Sequence, residues 1–154
     1  MGGFCKRMSR MRASICAWAI VLCLTGAASA WAGEIVVVVS AGAPVGTVSV
    51  DEVKEIYLGT LTFWGEVKVA PVGFPEGTSI QNDFLRQVMD MSERNFKTYW
   101  IKRIFREGGT PPKNVTSRQE GLEYISRTPG GIGYFRPQDV AGRSDLREVL
   151  RVTW

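Results

Sequence analysis

The run EIVVVV, Glu34 to Val39, sets four consecutive valines behind an isoleucine with no polar residue among them. β-Branched side chains are stiff at χ1 and favour extended backbone, so the run predicts a strand. It lacks the polar alternation of a strand that faces water on one side. The strand is therefore expected to be covered on both faces, inside a parallel or mixed sheet.

What precedes that strand has the three parts of a secretory signal. A basic stretch, CKRMSRMR, is followed by the apolar ASICAWAIVLCLTGA and the small residues ASAWA. The apolar run is interrupted and too short for a membrane span. Cleavage is expected after Ala30 or Ala32, leaving residues 33–154 as one exported domain with no membrane insertion of the mature chain. Lipid attachment at Cys23 is disfavoured because Leu22, before it, is not a small residue.

Removal of the leader changes two properties. Cys5, Cys16 and Cys23 all lie within it, so the mature protein has no thiol and no disulfide. Lys6, Arg7, Arg10 and Arg12 lie there too, and taking those four from 19 bases leaves 15 against 15 acids. The remaining charges are interspersed and form no basic stripe, which argues against nucleic acid and anionic membrane as partners. With no histidine in the chain, His/Cys metal sites and Ser-His or Cys-His nucleophiles are excluded. Glu66, Glu76 and Asp83 lie near one another in sequence, but nothing in their pattern brings two together as an acid/base pair. The expectation is a non-enzyme without cofactors.

The remaining roughly 120 residues suit one compact domain. Ser49 and Glu52 form a capping box opening a short helix with Val53, Ile56 and Tyr57 on one face, ended by Gly59. Val67 to Val72 reads as a strand. Ile80, Phe84, Leu85, Val88 and Met89 keep helical spacing after the turn at Gly77. Ser92 caps a third helix to about Phe105, with Phe96, Trp100, Ile101 and Ile104 expected inward and Arg94, Lys97 and Arg103 outward. Ser117 and Glu120 form a box opening a fourth, with Leu122 and Ile125 apolar, broken at Pro129-Gly130-Gly131. The strand-like IGYF and a final VLRVTW complete an alternation of strands and helices, an α/β layered fold.

The stretch APVGFPEGTSIQNDFLRQV, Ala70 to Val88, runs an apolar strand into a Gly-Thr-Ser turn and then a helix. A helix start offers unsatisfied N–H groups and a positive dipole end, so hydroxyls there suit phosphate, sulfate or carboxylate. The alternative is that Thr78 and Gln81 form a T-x-x-Q box and cap their own helix.

In order along the chain, VDEVKEIYLGTLTFWGEVKVAPV, the Gly-Thr-Ser helix, YWIKRIFREGGTPP and TPGGIGYF resemble the phosphate-binding, periplasmic substrate-binding-protein-like family of ABC transporters. The resemblance runs from about Glu34 to Val140. It implies a three-layer α/β sandwich, a mixed sheet flanked by helices, corresponding mainly to one lobe of a type 2 periplasmic binding protein. It also implies a periplasmic location and two partners, a small oxyanion such as phosphate and a membrane permease. In that family an arginine, an aspartate and a Ser-Gly-Thr turn of this lobe hold phosphate. Aligning back from Phe84 sets Phe74 at the arginine, Glu76 at the aspartate and Thr78-Ser79-Ile80 at the turn. The ligand-binding residues so implied are Glu76, Gly77, Thr78, Ser79 and Ile80. Phe74 supplies none of the bidentate charge-assisted bonds of an arginine.

Other segments carry alternative readings. Lys102, Arg103 and Arg106, beside the Gly-Gly-Thr-Pro-Pro turn, either face a ligand or partner or complement a helix C-terminus. Phe63 and Trp64, in a loop, either anchor a partner or cover the core. Asn114-Val115-Thr116 matches a glycosylation pattern, but Thr116 and Ser117 are better explained as the cap of the next helix. The second functional class is thus a periplasmic protein-protein interaction module that keeps the fold without ligand transport.

Overall fold

The computed structural model describes residues 33–154. The leader, its cleavage sites and its cysteines lie outside the described residues. In chain order the elements are β1 (Glu34–Ser40), α1 (Val50–Tyr57), β2 (Phe63–Trp64), β3 (Val67–Lys68), β4 (Ala70–Gly73), α2 (Ser79–Gln87), α3 (Glu93–Glu107), β5 (Lys113–Asn114), α4 (Arg118–Arg127), β6 (Gly131–Phe135), α5 (Pro137–Val140) and β7 (Leu146–Thr153).

β1 lies inside a five-stranded sheet of order β5-β4-β6-β1-β7. Ile35 to Val39 are essentially inaccessible to water, as the unbroken valine run requires. The sheet is mixed. β1 runs antiparallel to both β6 and β7, whereas β4 runs parallel to β5 and β6. A bulge opposite Val37 and Val38 inserts Val149 into β7, and the freed Val149 carbonyl accepts the Val48 N–H at 3.2 Å.

β6 shows how both faces are covered. Gly131, Gly133 and Phe135 face α4, while Tyr134 points the other way and stacks on Phe84 of α2 at 3.8 Å between ring centroids. Gly131 must lack a side chain, because a Cβ there would lie 2.8 Å from the Ile125 Cα and 2.9 Å from its carbonyl oxygen. The three layers are therefore α4, the sheet, and α1 with α2.

Three details differ from the sequence expectations. The stretch Val67 to Val72 is split: Val67–Lys68 pairs with Phe63–Trp64 in a hairpin, and only Ala70–Gly73 enters the main sheet. The hairpin turns on Gly65-Glu66, with Gly65 at φ 59°, the positive φ that favoured two-residue turns need. Phe63 is half exposed, and Trp64 packs against the core edge. On α3 only Trp100 is buried, while Ile101 and Ile104, expected inward, are 47% and 43% exposed and Phe105 is 86% exposed.

Arg103, expected outward, is instead tucked in. The reason is the end of α1, whose last carbonyls have no helical partners. The Trp100 indole N–H donates to the Tyr57 carbonyl at 3.2 Å, the Tyr99 hydroxyl to that of Leu58 at 2.7 Å, and the Arg103 guanidinium to that of Gly59 at 2.9 Å. Three successive carbonyls are thus satisfied by three side chains of α3. Gly59 stands at φ 72° with the Trp100 ring against it, a conformation and a space that suit glycine alone.

Replacing Trp100 removes a buried ring and the donor to Tyr57 together. Trp100→Ala is expected to cost about 3–5 kcal/mol of stability, read from chemical denaturation. A change near zero would remove α3 from the core.

Candidate anion site

β4 and β6 are parallel neighbours, and their carboxyl ends release the chain on the same edge of the sheet. Past β4 come Phe74, Pro75 and the start of α2; past β6 comes Arg136. The start of α4 completes a hollow of about 480 Å³ whose walls include Thr78, Ser79, Ile80, Ser117, Arg118 and Arg136. Crevices at the carboxyl ends of parallel strands are the usual ligand positions of such sheets.

The two helix starts are finished differently. At α4 the Ser117 hydroxyl accepts the Glu120 N–H at 3.1 Å, while the Glu120 carboxylate reaches back to Thr116, accepting its N–H and its hydroxyl at 2.8 Å each. The expected box at Ser117 is thus half formed, because Glu120 bonds one residue further back. These bonds hold the Glu120 carboxyl below the usual carboxylate range, the backbone N–H of Thr116 being the largest cause.

At α2 the expected Thr78–Gln81 box is absent. The Thr78 hydroxyl turns back and donates to the Pro75 carbonyl at 2.8 Å, and Gln81 is drawn into the core by Tyr134. The first helical bond is Asn82 N–H to Thr78, and the N–H groups of Ser79, Ile80 and Gln81 have no acceptor among the described residues. An uncapped helix start retains its partial positive charge.

Two guanidiniums flank that start. Arg118 is largely exposed and pairs with Asp139 at 2.9 Å. Arg136 is held more firmly: it donates to the Glu34 carbonyl at 3.0 Å, pairs with Asp83 and lies over the Trp154 ring. Asp139 also accepts the Arg136 N–H at 3.3 Å, and each guanidinium has a carboxylate partner, Asp139 for Arg118 and Asp83 for Arg136.

Of the residues singled out in the sequence, Thr78, Ser79 and Ile80 line this hollow. Glu76 and Gly77 turn toward α3: Glu76 pairs with Lys97 at 3.0 Å, and the Gly77 N–H donates to Glu93 at 2.6 Å. Phe74, at the position where the resemblance sets an arginine, is only 4% exposed and meets Tyr134 and Phe135 edge-on, each at 5.5 Å. It is a core residue. Arg118, Arg136 and Asp139 were not singled out as site residues. Their signal was local: one arginine directly after a capping serine, another directly after the buried GIGYF run. Among the described residues no cluster suits a metal ion, and no helix is long and apolar enough to cross a membrane.

Because Thr78 does not cap, Thr78→Ala is expected to change stability by well under the about 1 kcal/mol expected for Ser117→Ala. Thermal melts of the two variants check this, and equal losses would contradict the geometry. A second expectation concerns Glu120. Its depressed folded pKa gives stability that is present above its unfolded value and lost as pH falls through the folded one. Melts across the acid limb should show a shallower fall for Glu120→Gln than for the unmodified chain.

The fold matches a single lobe of solved phosphate transport proteins. The chain is similar to an ABC-type phosphate transport receptor from Vibrio cholerae, with 15% identity over 75% of this chain and 45% of that one, at a TM-score of 0.58. It is similar to PstS from Borrelia burgdorferi, with 17% identity over 77% and 49% of the two chains and a TM-score of 0.57. A third similar structure, from Clostridium perfringens, is described as a phosphate ABC transporter substrate-binding protein with bound phosphate. That match has 16% identity over 79% and 58%, at a TM-score of 0.52. The chain spans about half the length of these proteins. No protein-family model matches the sequence, and no curated protein does.

Proposed function

We propose that this chain is a periplasmic solute-binding-like protein that holds phosphate or a similar small oxyanion at the start of α2, in connection with an ABC transporter. The observation that carries the reading is the uncapped helix start, where the N–H groups of Ser79, Ile80 and Gln81 have no acceptor among the described residues and Ser79 and Ile80 line a hollow with Arg118 and Arg136. Free donors, the positive dipole end and guanidinium forks are the groups that bind tetrahedral oxyanions. The likeness of the fold to phosphate-binding proteins supports the same class of ligand.

In this reading Ser79 adds its hydroxyl, Arg118 swings from Asp139 toward the anion, and Arg136 stays as a fixed charge. Asp139 takes the part that the resemblance gave to Glu76, accepting the proton of monohydrogen phosphate and disfavouring sulfate, which has none. The permease of the transporter is the protein partner, and no catalysis is assigned. A second reading, a periplasmic interaction module without ligand, rests on the exposed Ile101, Ile104 and Phe105 of α3.

Phosphate is expected to bind near millimolar, about −4 kcal/mol, because only this one set of contacts is at hand. Arg118→Gln should weaken it by roughly tenfold through loss of one charge-assisted bond. Titration calorimetry with phosphate and sulfate at constant ionic strength reads both numbers. No saturable heat with phosphate would favour the interaction module, and sulfate binding as well as phosphate would remove the role given to Asp139.

A further inference from the structure

A second cavity, of about 180 Å³, shares Phe74 with the hollow and is lined by residues of α2, α3 and the ends of β4 and β5. Its walls include the apolar rings and side chains of Phe84, Leu85, Trp100, Pro111 and Pro112, with the Asn114 amide beside Gly73. Of the buried polar groups that line it, the Tyr57 and Tyr134 hydroxyls already donate, to the Val72 carbonyl and to Gln81, as does the Trp100 indole to the Tyr57 carbonyl. Gln81 is 7% exposed, and it belongs to this cavity and not to the anion hollow.

The orientation of that amide follows from Tyr134. The Tyr134 hydroxyl oxygen accepts the Phe74 N–H at 3.2 Å, so its single proton is free to donate and goes to Gln81 Oε1 at 2.5 Å. Burial pushes the phenol well above its usual pKa, which keeps that proton in place. The amide oxygen being thus engaged, Gln81 Nε2 is left with two N–H donors and no acceptor among the described residues. That nitrogen is not sealed from solvent but opens on the cavity, so a ligand acceptor placed there can accept a hydrogen bond from it.

The rim sets the charge. Glu76 is neutralised by Lys97, but Glu93 has no cation within ion-pair distance among the described residues, so the mouth carries a net negative charge. That field disfavours anions. An engineered apolar cavity of about 150 Å³ takes up benzene, so the size here suits a substituted six-membered ring.

We propose that this cavity is a second binding site, for a small uncharged molecule with a flat apolar body and one carbonyl acceptor, and that Gln81 Nε2 is the donor that orients it. The ring lies against Phe84 and Trp100, the carbonyl accepts from Gln81, and entry is past Ile101 and Ile104, which are half exposed on α3.

The test uses the full chain, with benzamide, benzoate and toluene as probes at constant ionic strength, followed through the side-chain amide signals of Gln81 by NMR. Benzamide is expected to shift those signals saturably. Benzoate, of the same shape but charged, and toluene, without the acceptor, should each bind at least tenfold more weakly. Ile101→Trp, at an exposed position that folding tolerates, should block benzamide without lowering the melting temperature. Arg118→Gln should leave benzamide binding unchanged, so the outcome is separate from that of the anion site. Gln81→Leu should abolish the preference for benzamide over toluene; if it does not fold, Ile101→Trp and the Gln81 signals decide. The proposal is overturned if benzamide leaves Gln81 unshifted up to its solubility, if benzoate binds as well as benzamide, or if Ile101→Trp binds benzamide normally.

Discussion

The hydroxyl of Tyr134 is the point on which the arrangement depends. Its ring stacks on Phe84 at 3.8 Å and meets Tyr57 at 5.6 Å, which ties β6 to α2 and α1. Its oxygen accepts the N–H of Phe74 at the end of β4 and donates to Gln81 in the first turn of α2. One buried group therefore fixes both ends of the turn that joins β4 to α2. A phenol with donor and acceptor roles both satisfied can be buried at little cost, and at this depth it stays protonated.

The position of that turn explains why the starts of α2 and α4 differ. Gln81 is committed to Tyr134 and Thr78 to Pro75, so neither is left to cap α2. α4 has Ser117 to cap the Glu120 N–H, one of its first donors, while Glu120 ties down Thr116 before it. The free N–H groups of the hollow follow from a side chain being recruited elsewhere. The end of α1 shows the complementary case, since its carbonyls are closed by Tyr99, Trp100 and Arg103 from a different helix.

The part of the site that could be read from sequence was the part built from consecutive residues. Thr78, Ser79 and Ile80 sit together because a helix start places them so. Arg118 and Arg136 lie far from them in sequence and join them only because β4 and β6 are parallel neighbours whose ends open on one edge. Glu76 looked equivalent to its neighbours, yet the turn directs it toward Lys97 on α3, a residue 21 positions away.

The sequence by itself determined the elements whose causes are local. The valine run demanded a strand covered on both faces, the Ser49–Glu52 box started α1, Gly59 ended it, and the apolar spacing of Phe84 and Leu85 set the buried face of α2. Only the tertiary structure decided which apolar residues of α3 stay exposed, because that depends on where α1 ends and which side chains its carbonyls recruit. It also decided that Phe74 belongs to the core and that Gln81 faces a cavity. Those outcomes depend on the Tyr134 hydroxyl, 53 positions from Gln81, and no periodicity within α2 records it.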